Sequence, residues 1–195
     1  ALLLNGKRAQ LKGVIWHEDS PDHGSAMTYE QMEKDIVLIK SLGANAIRFA
    51  FHPPHPYVVT LCSRYGLLAL QEIPAWNVPG EVLGDDFFQT LGEQQTREMI
   101  RRDQHQPAML AWGVGDDFDS SDPRARSYVE RMVRVAKEAD ARPVYYGSKM
   151  LGIDVCSDLV DIACVSVPAN DLKEFKALLT EWIDQHKSQP VMHVR

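Results

Sequence analysis

The chain has 195 residues, 45% of them hydrophobic and 25% charged, which fits one globular domain with a sizeable core. Its longest apolar runs, residues 2–4 and 66–70, are far shorter than the roughly 20 residues that span a bilayer, so we expect a soluble protein and no membrane partner. The net charge of −6, with lysine and arginine dispersed among acids, argues against a nucleic-acid partner.

The chain begins at Ala1, with neither a methionine nor a charged stretch leading into an apolar one. We therefore expect no signal peptide within it, leave its compartment open, and expect it to be a fragment of a longer multidomain protein. Three cysteines without CxxC spacing indicate neither a disulfide framework nor a zinc site, so Cys62, Cys156 and Cys164 are expected to be buried thiols.

The first third of the chain predicts a hairpin, three strands and two helices. Asn5-Gly6 between apolar runs at 2–4 and 9–14 is typical of a type I′ turn that leads into a first strand over 11–15. Thr28 and Gln31 have the spacing of a capping box, and Leu42-Gly43 supplies the end of that helix. The elements expected next are a strand over 46–51, a helix over 57–65 and a strand over 67–71.

Helices and strands alternate through the rest of the chain. The predicted elements are helix 87–104, strand 109–114, helix 122–139, strand 144–147, strand 162–167, helix 172–186 and strand 191–194. Seven short apolar strands separated by helical segments indicate a parallel sheet with right-handed crossovers. The connection between the fifth and sixth strands is the one that is weak in helix signals.

A doubly wound sheet and a TIM barrel both fit this alternation. Gly113-Val114-Gly115 is followed by acids instead of the spaced glycine that a dinucleotide pyrophosphate needs, so we favour an α/β fold of the TIM (β/α)8 type over residues 1–195. A complete barrel has eight strands and about 250 residues, so this one is expected to lack its eighth strand. Open edges at the first and seventh strands would then permit self-association.

Function in parallel barrels lies at the carboxyl ends of the strands. The polar residues expected at that rim are His17, Glu18, Asp19, Arg48, His52, His55, Glu72, Asp116 and Asp117. Three tryptophans, Trp16, Trp76 and Trp112, are predicted nearby. Aromatic faces next to carboxylates suit a sugar ligand.

Retaining glycoside hydrolysis uses two carboxyl groups roughly 5 to 5.5 Å apart, one as acid and one as nucleophile. Asp117 is a candidate acid, but the last predicted strand ends on Arg195 instead of a carboxylate. Other interpretations remain open. The acids after strand four fit a solvated loop, Arg48 and Glu72 fit a structural ion pair, and tryptophans at these positions fit the core. A metal site built from the histidines and Glu18 is a further alternative.

Several spaced motifs occur in the order found in one family. They are residues 4–7 (LNGK), 11–14 (LKGV), 17–19 (HED), 42–48 (LGANAIR), 53–56 (PPHP), 61–67 (LCSRYGL) and 71–72 (QE). On these motifs, from Leu4 to the end, the chain resembles the barrel domain of glycoside hydrolase family 2, which contains β-galactosidases, β-glucuronidases and β-mannosidases.

The resemblance also implies two changes in the catalytic pair. The family ends strand four on Gly-Asn-Glu, so Asp116 takes the place of a sugar-binding asparagine and Asp117 that of the acid/base glutamate. The nucleophile, five residues after the proline of strand seven, aligns with Arg195. Arg48, His17, Glu72, Asp116 and Trp76 are then the expected substrate-binding residues. Trp76 and Val78 stand where some members hold a metal, so no metal or cofactor is expected.

Polar groups of the family are replaced by apolar ones at further positions, including 15–16, 50–51 and 166–168. Three hypotheses follow. The first is a catalytically impaired retaining β-glycosidase acting on O-glycosidic bonds. The second is a pseudoenzyme barrel that binds carbohydrate or has a structural role. The third is metal-assisted hydrolysis by the histidines.

Overall fold

The structure is a computed structural model that describes residues 3–193, so Arg195 lies outside the described residues. The chain enters through a short antiparallel ribbon, β1 (Leu3–Leu4) and β2 (Lys7–Arg8). Asn5 and Gly6 between them have φ angles of 51° and 76°, which is the left-handed pair of a type I′ turn. The predicted hairpin turn is confirmed, but its second strand is Lys7–Arg8 and not part of the run at 9–14.

Seven strands form one parallel sheet, and each pairs with the next in chain order. The strands are β3 (Gly13–Trp16), β4 (Ala46–Phe49), β5 (Leu68–Glu72), β6 (Met109–Asp116), β7 (Val144–Ser148), β8 (Ile162–Val165) and β9 (Val191–His193). The helices are α1 (Tyr29–Ser41), α2 (Pro56–Tyr65), α3 (Gly80–Leu83), α4 (Asp86–Asp103), α5 (Pro123–Ala139) and α6 (Leu172–Gln185).

The sheet curls into a TIM barrel that is incomplete within residues 3–193, as the strand count predicts. Alternate side chains of the strands point to opposite faces and build separate cores on the two sides of the sheet. Ala46, Leu70, Ala111, Tyr145 and Cys164 pack together in the barrel interior. The larger core lies between the sheet and the helices.

Local signals explain the first helix. The side chain of Thr28 accepts a hydrogen bond from the amide of Gln31, and the Gln31 side chain accepts one from the Thr28 amide, so the predicted capping box is present. Met32, Ile36 and Ile39 are buried on one face. Gly43, with a φ angle of 82°, follows the last turn as predicted.

Some elements differ from prediction by a few residues. Strand β3 begins at Gly13 and extends to Trp16, whose indole packs against Phe49 and donates to Asp35 Oδ2 at 3.0 Å. The helical turn α3 lies in a stretch that has no clear periodicity. A single 3₁₀ turn, Ser157–Leu159, is the regular structure between β7 and β8, in agreement with the weak helix signal there.

The three cysteines are buried and unpaired with one another, as predicted. Burial raises the pKa of the Cys62 and Cys156 thiols to about 12, which keeps both protonated and unreactive at neutral pH. Within the described part of the chain, no helix is both long and apolar enough to cross a membrane.

Candidate active site

A buried ion-pair cluster lies where β4, β5 and β6 end. Arg48 Nη2 lies 2.9 Å from both carboxylate oxygens of Glu72 and 3.1 Å from Asp116 Oδ1, and all three side chains are almost fully buried. The phenol of Tyr145, from β7, donates to Glu72 Oε2 at 3.0 Å. The interpretation of Arg48 and Glu72 as an ion pair is therefore confirmed, and Asp116 belongs to it as well.

The cluster holds one arginine and two carboxylates. Burial, opposed by the Arg48 charge and aided by the nearby Asp116 charge, raises the pKa of Glu72 to about 7. Although burial alone would lower the pKa of Arg48, the Glu72 carboxylate raises it above its usual value, so the guanidinium stays charged. Glu72 thus titrates near neutral pH while Arg48 remains a fixed cation.

Glycines make room for this cluster. A Cβ atom on Gly113 would lie 2.4 Å from the Cβ of Glu72 and 2.8 Å from the Tyr145 ring. A Cβ atom on Gly147 would lie 1.6 Å from Asp116 Oδ1. Gly113 of β6 and Gly147 of β7 are therefore required by close packing in the barrel interior.

Asp116 and Asp117 are held by backbone contacts to both neighbouring strands. The Asp116 amide donates to Ala75 O, and the Asp116 carbonyl accepts from the Asn77 amide, both at 3.0 Å. The Asp117 amide donates to Gly147 O at 3.0 Å. Asp117 has a φ angle of 62°, in the left-handed region, and is 9% exposed. The end of β6 is thus fixed between the β5 loop and β7.

An aromatic stack covers the same end of the barrel. Trp76, 46% exposed, stacks on Phe51 with ring centroids 4.9 Å apart. The ring of His17 lies 5.7 Å from Phe51, and Arg48 Cζ lies 6.0 Å from the Phe51 centroid. The stack therefore joins the surface to the buried ion pairs and presents an indole face to solvent.

The structure brings together about half of the residues predicted for this rim. His17 and Trp76 join the aromatic stack, while the other two predicted tryptophans are core residues: Trp16 packs on α1 and Trp112 is fully buried. Tyr145 was missed by sequence reasoning. Alternation along β7 offers a signal for it, since inward positions of that strand take every second residue.

The histidines do not gather around a cation. The His55 amide donates to Glu18 Oε2 at 2.8 Å, and His55 Nδ1 accepts from the Tyr57 amide, which makes His55 the N-cap of α2. Within residues 3–193, no group of three or more His, Cys, Asp or Glu side chains is arranged to hold a metal ion.

A cavity of about 330 Å³ lies between the first and last strands of the sheet. Its wall is mainly apolar, with Leu11, Ile15, Leu70 and Met192 among the lining residues, and it reaches Arg48. The cavity marks the place where β3 and β9 face each other across the gap in the barrel.

A parallel barrel with carboxylates, an arginine and an exposed tryptophan at the carboxyl ends of its strands belongs to the TIM-barrel class, whose members carry their functional sites at this end. The family described as "Glycosyl hydrolases family 2, TIM barrel domain" matches residues 1–194. The chain therefore belongs to glycosyl hydrolase family 2, and the resemblance inferred from the sequence motifs is confirmed.

Solved structures of family members have the same fold. A family 2 β-galacturonidase from Eisenbergiella tayi bound to galacturonate superposes with a TM-score of 0.89 at 26% identity, covering 97% of this chain and 36% of that one. A β-glucuronidase from Parabacteroides merdae gives 0.84 at 26% identity, with 98% and 25% covered. A Bifidobacterium dentium β-glucuronidase complexed with coumarin-3-O-glucuronide gives 0.90 at 26% identity, with 98% and 33% covered. The chain thus spans between 25% and 36% of the length of these relatives.

Proposed function

We propose that the chain is the barrel domain of a β-glycosidase-like protein, related to β-glucuronidases and β-galactosidases, whose hydrolysis of O-glycosidic bonds is impaired. The observation that carries the proposal is the ion-pair cluster. Glu72 and Asp116 both lie at the end of the barrel beside Asp117, and both are turned toward Arg48. A carboxylate engaged in this way is poorly placed to attack an anomeric carbon as the partner of Asp117.

Two substitutions weaken the chemistry. Asp117 in place of glutamate withdraws the acid by roughly 1 to 1.5 Å, and a misplacement of about 1 Å can cost about a hundredfold in rate. Arg195 at the nucleophile position has its nitrogen lone pairs delocalised over the guanidinium cation, so it does not attack carbon, and it repels the positive charge that develops on the sugar ring. Protonation of the leaving oxygen would then proceed slowly and without a covalent intermediate on this residue.

Sugar binding does not require a glutamate in place of Asp117 or a carboxylate in place of Arg195. The exposed Trp76 face is suited to packing on the apolar side of a pyranose ring, and His17, whose ring lies 5.7 Å from the Phe51 ring under Trp76, is the proposed contact for its hydroxyl groups. Arg48, Glu72 and Asp116 form the polar floor beneath Phe51. Carbohydrate is therefore the proposed ligand, with no metal or cofactor in the reaction.

A non-catalytic carbohydrate-binding barrel is the second candidate. It is favoured by the same engagement of Glu72 and Asp116 with Arg48, together with the accessible stack of Trp76 on Phe51. The two candidates agree on the ligand and differ in whether any bond is broken.

Restoring both carboxylates tests the proposal. The full-length product of the gene is assayed on nitrophenyl β-glucuronide, β-galactoside and β-mannoside, as wild type, Asp117→Glu, Arg195→Glu and the double variant. The double variant has a glutamate of the usual length as its acid and a carboxylate at the nucleophile position. We therefore expect it to hydrolyse at least one of these substrates at least about a hundredfold faster than wild type. Asp119→Glu, at an exposed acid two residues after Asp117, is the matched control and should leave the rate unchanged.

Wild-type turnover in the ordinary range of about 1 to 1000 per second would contradict the impairment. Calorimetric titration with the free sugars separates the candidates, because binding without hydrolysis in wild type favours the non-catalytic barrel. Neither binding nor hydrolysis of any of the three sugars would overturn both.

We also propose that the barrel associates with a second copy through its open edges. Within residues 3–193, β3 pairs with β4 alone and β9 with β8 alone. Unpaired backbone groups at such edges can add a strand from another chain. The apolar lining of the neighbouring cavity supports this proposal.

A further inference from the structure

A half-buried carboxylate, Asp154, gathers hydrogen bonds from three separate segments. It lies in the loop between β7 and β8 and accepts from the hydroxyl of Ser120 at 2.6 Å and from that of Ser148. The phenol of Tyr146 donates to its two oxygens at 2.5 and 2.6 Å. Two amides of its own loop, those of Cys156 and Ser157, complete its shell.

These contacts converge on the segment that follows β6. Ser120 is three residues after Asp117, and its carbonyl also accepts from the Val155 amide at 2.9 Å. Phe118, the residue next to Asp117, is fully buried and stacks on the Tyr146 ring with centroids 5.3 Å apart. Asp154 therefore reaches residues 117–120 by two routes, through the Ser120 hydroxyl and through the Tyr146 ring.

Asp154 also fixes the strand on the other side of Asp117. Ser148 is the last residue of β7, and Gly147 before it accepts the Asp117 amide at 3.0 Å. The left-handed φ of 62° at Asp117 is costly for a residue with a side chain and persists only where its surroundings hold it. One carboxylate ties together both segments that impose this conformation.

We propose that Asp154 is a positioning residue that holds Asp117 in its left-handed conformation at the end of β6, through Ser120 and through Tyr146. The role rests on the proposed function, in which Asp117 is the acid. Aspartate suits the position because two oxygens can accept several hydrogen bonds at once, whereas an amide would present one acceptor and one donor.

Amide hydrogen exchange measured by NMR on the full-length protein tests the role of Asp154 directly. We expect Asp154→Asn to speed exchange of the Asp117 amide about tenfold or more, because its bond to Gly147 opens more often. The Ala69 amide in the central strand β5, which donates to Ala108 O and is fully buried, reports on global opening and should be unchanged. Asp158→Asn is the matched control, since Asp158 lies in the same loop but pairs with Arg126.

Equal exchange at Asp117 in wild type and Asp154→Asn would overturn the inference, and so would an equal acceleration in Asp158→Asn. Equally faster exchange at Ala69 would also overturn it, because the substitution would then have lowered the stability of the whole domain. Should Asp154→Asn fail to fold, Ser120→Ala removes one of the two routes and is expected to give a smaller acceleration at Asp117 alone. These measurements need no sugar, so they stand apart from the hydrolysis assays. Where hydrolysis is measurable, Asp154→Asn should lower kcat and leave KM unchanged.

Discussion

Glu72 gives the barrel interior a pH-dependent contribution to stability. Its pKa is raised by burial to about 7 from a reference value of 4.5, so between these values the folded protein keeps a proton that the unfolded chain has released. The group's contribution is therefore fully present below about pH 4.5 and is lost as the pH rises through about 7.

Replacing this carboxyl by an amide tests that contribution. Between pH 5 and pH 8, the free energy of unfolding of wild type, measured by urea denaturation, should fall by an amount on the order of 3 kcal/mol. Glu72→Gln has no carboxyl to titrate at this position and should not show this fall. Glu130→Gln, at an exposed position on α5, is the control and should follow wild type. Identical pH dependence in wild type and Glu72→Gln would show that Glu72 is ionised throughout this range.

The contacts of individual site residues differ in how well the sequence predicts them. Arg48 and Glu72 could be placed at strand ends and paired as opposite charges from their positions alone. The contact of Asp116 with the same arginine could not, because it depends on how far β6 extends. That strand continues two residues beyond its predicted end, and those residues carry Asp116 into the interior.

The contribution of the α1 N-cap, Thr28, to the free energy of unfolding can be measured by a single substitution. Thr28→Ala removes one acceptor for an orphan amide at the helix start and should lower the free energy of unfolding by about 1 kcal/mol. Urea denaturation measures the change. Thr180→Ala, at an exposed position of α6, removes a hydroxyl that donates to the carbonyl of Lys176 in the preceding helical turn, so it should have a smaller effect. A loss as large in Thr180→Ala would argue against a specific role for the cap.

Elements with strong end signals were predicted within one or two residues. Helix α2 ends at Gly66 in the left-handed conformation, as its sequence indicates, and α5 begins after the N-cap Asp122. Short elements were harder. Helix α3 is four residues long, and a Cβ atom on Gly80 at its start would lie 2.1 Å from Asp122 Oδ2, so a side chain there would displace the Asp122 carboxylate. The position of α3 is fixed by tertiary packing, so the local sequence carries little signal for this helix.

The proposed self-association uses the open edges of the barrel, at β3 and β9. Sedimentation velocity of the purified chain between about 1 and 100 μM should show a concentration-dependent dimer, since strand pairing across copies buries unpaired backbone groups. The dimer should persist in about 0.5 M NaCl, because salt screens exposed charge interactions but not backbone pairing. A monomer at every concentration would contradict the proposed self-association.

The order of strands and helices, the barrel and the family were determined by the sequence alone, because alternating hydrophobic patterns and capping residues act over a few neighbouring positions. Apart from the pairing of Arg48 with Glu72, the tertiary structure decided which polar groups meet. Residues 48, 72, 116 and 145 come from four different strands, and their contacts depend on the register and curl of the sheet. It also buried Trp16 and Trp112 while leaving Trp76 at the rim. Long-range contacts of this kind arise from packing across the sheet, which no local pattern in the chain encodes.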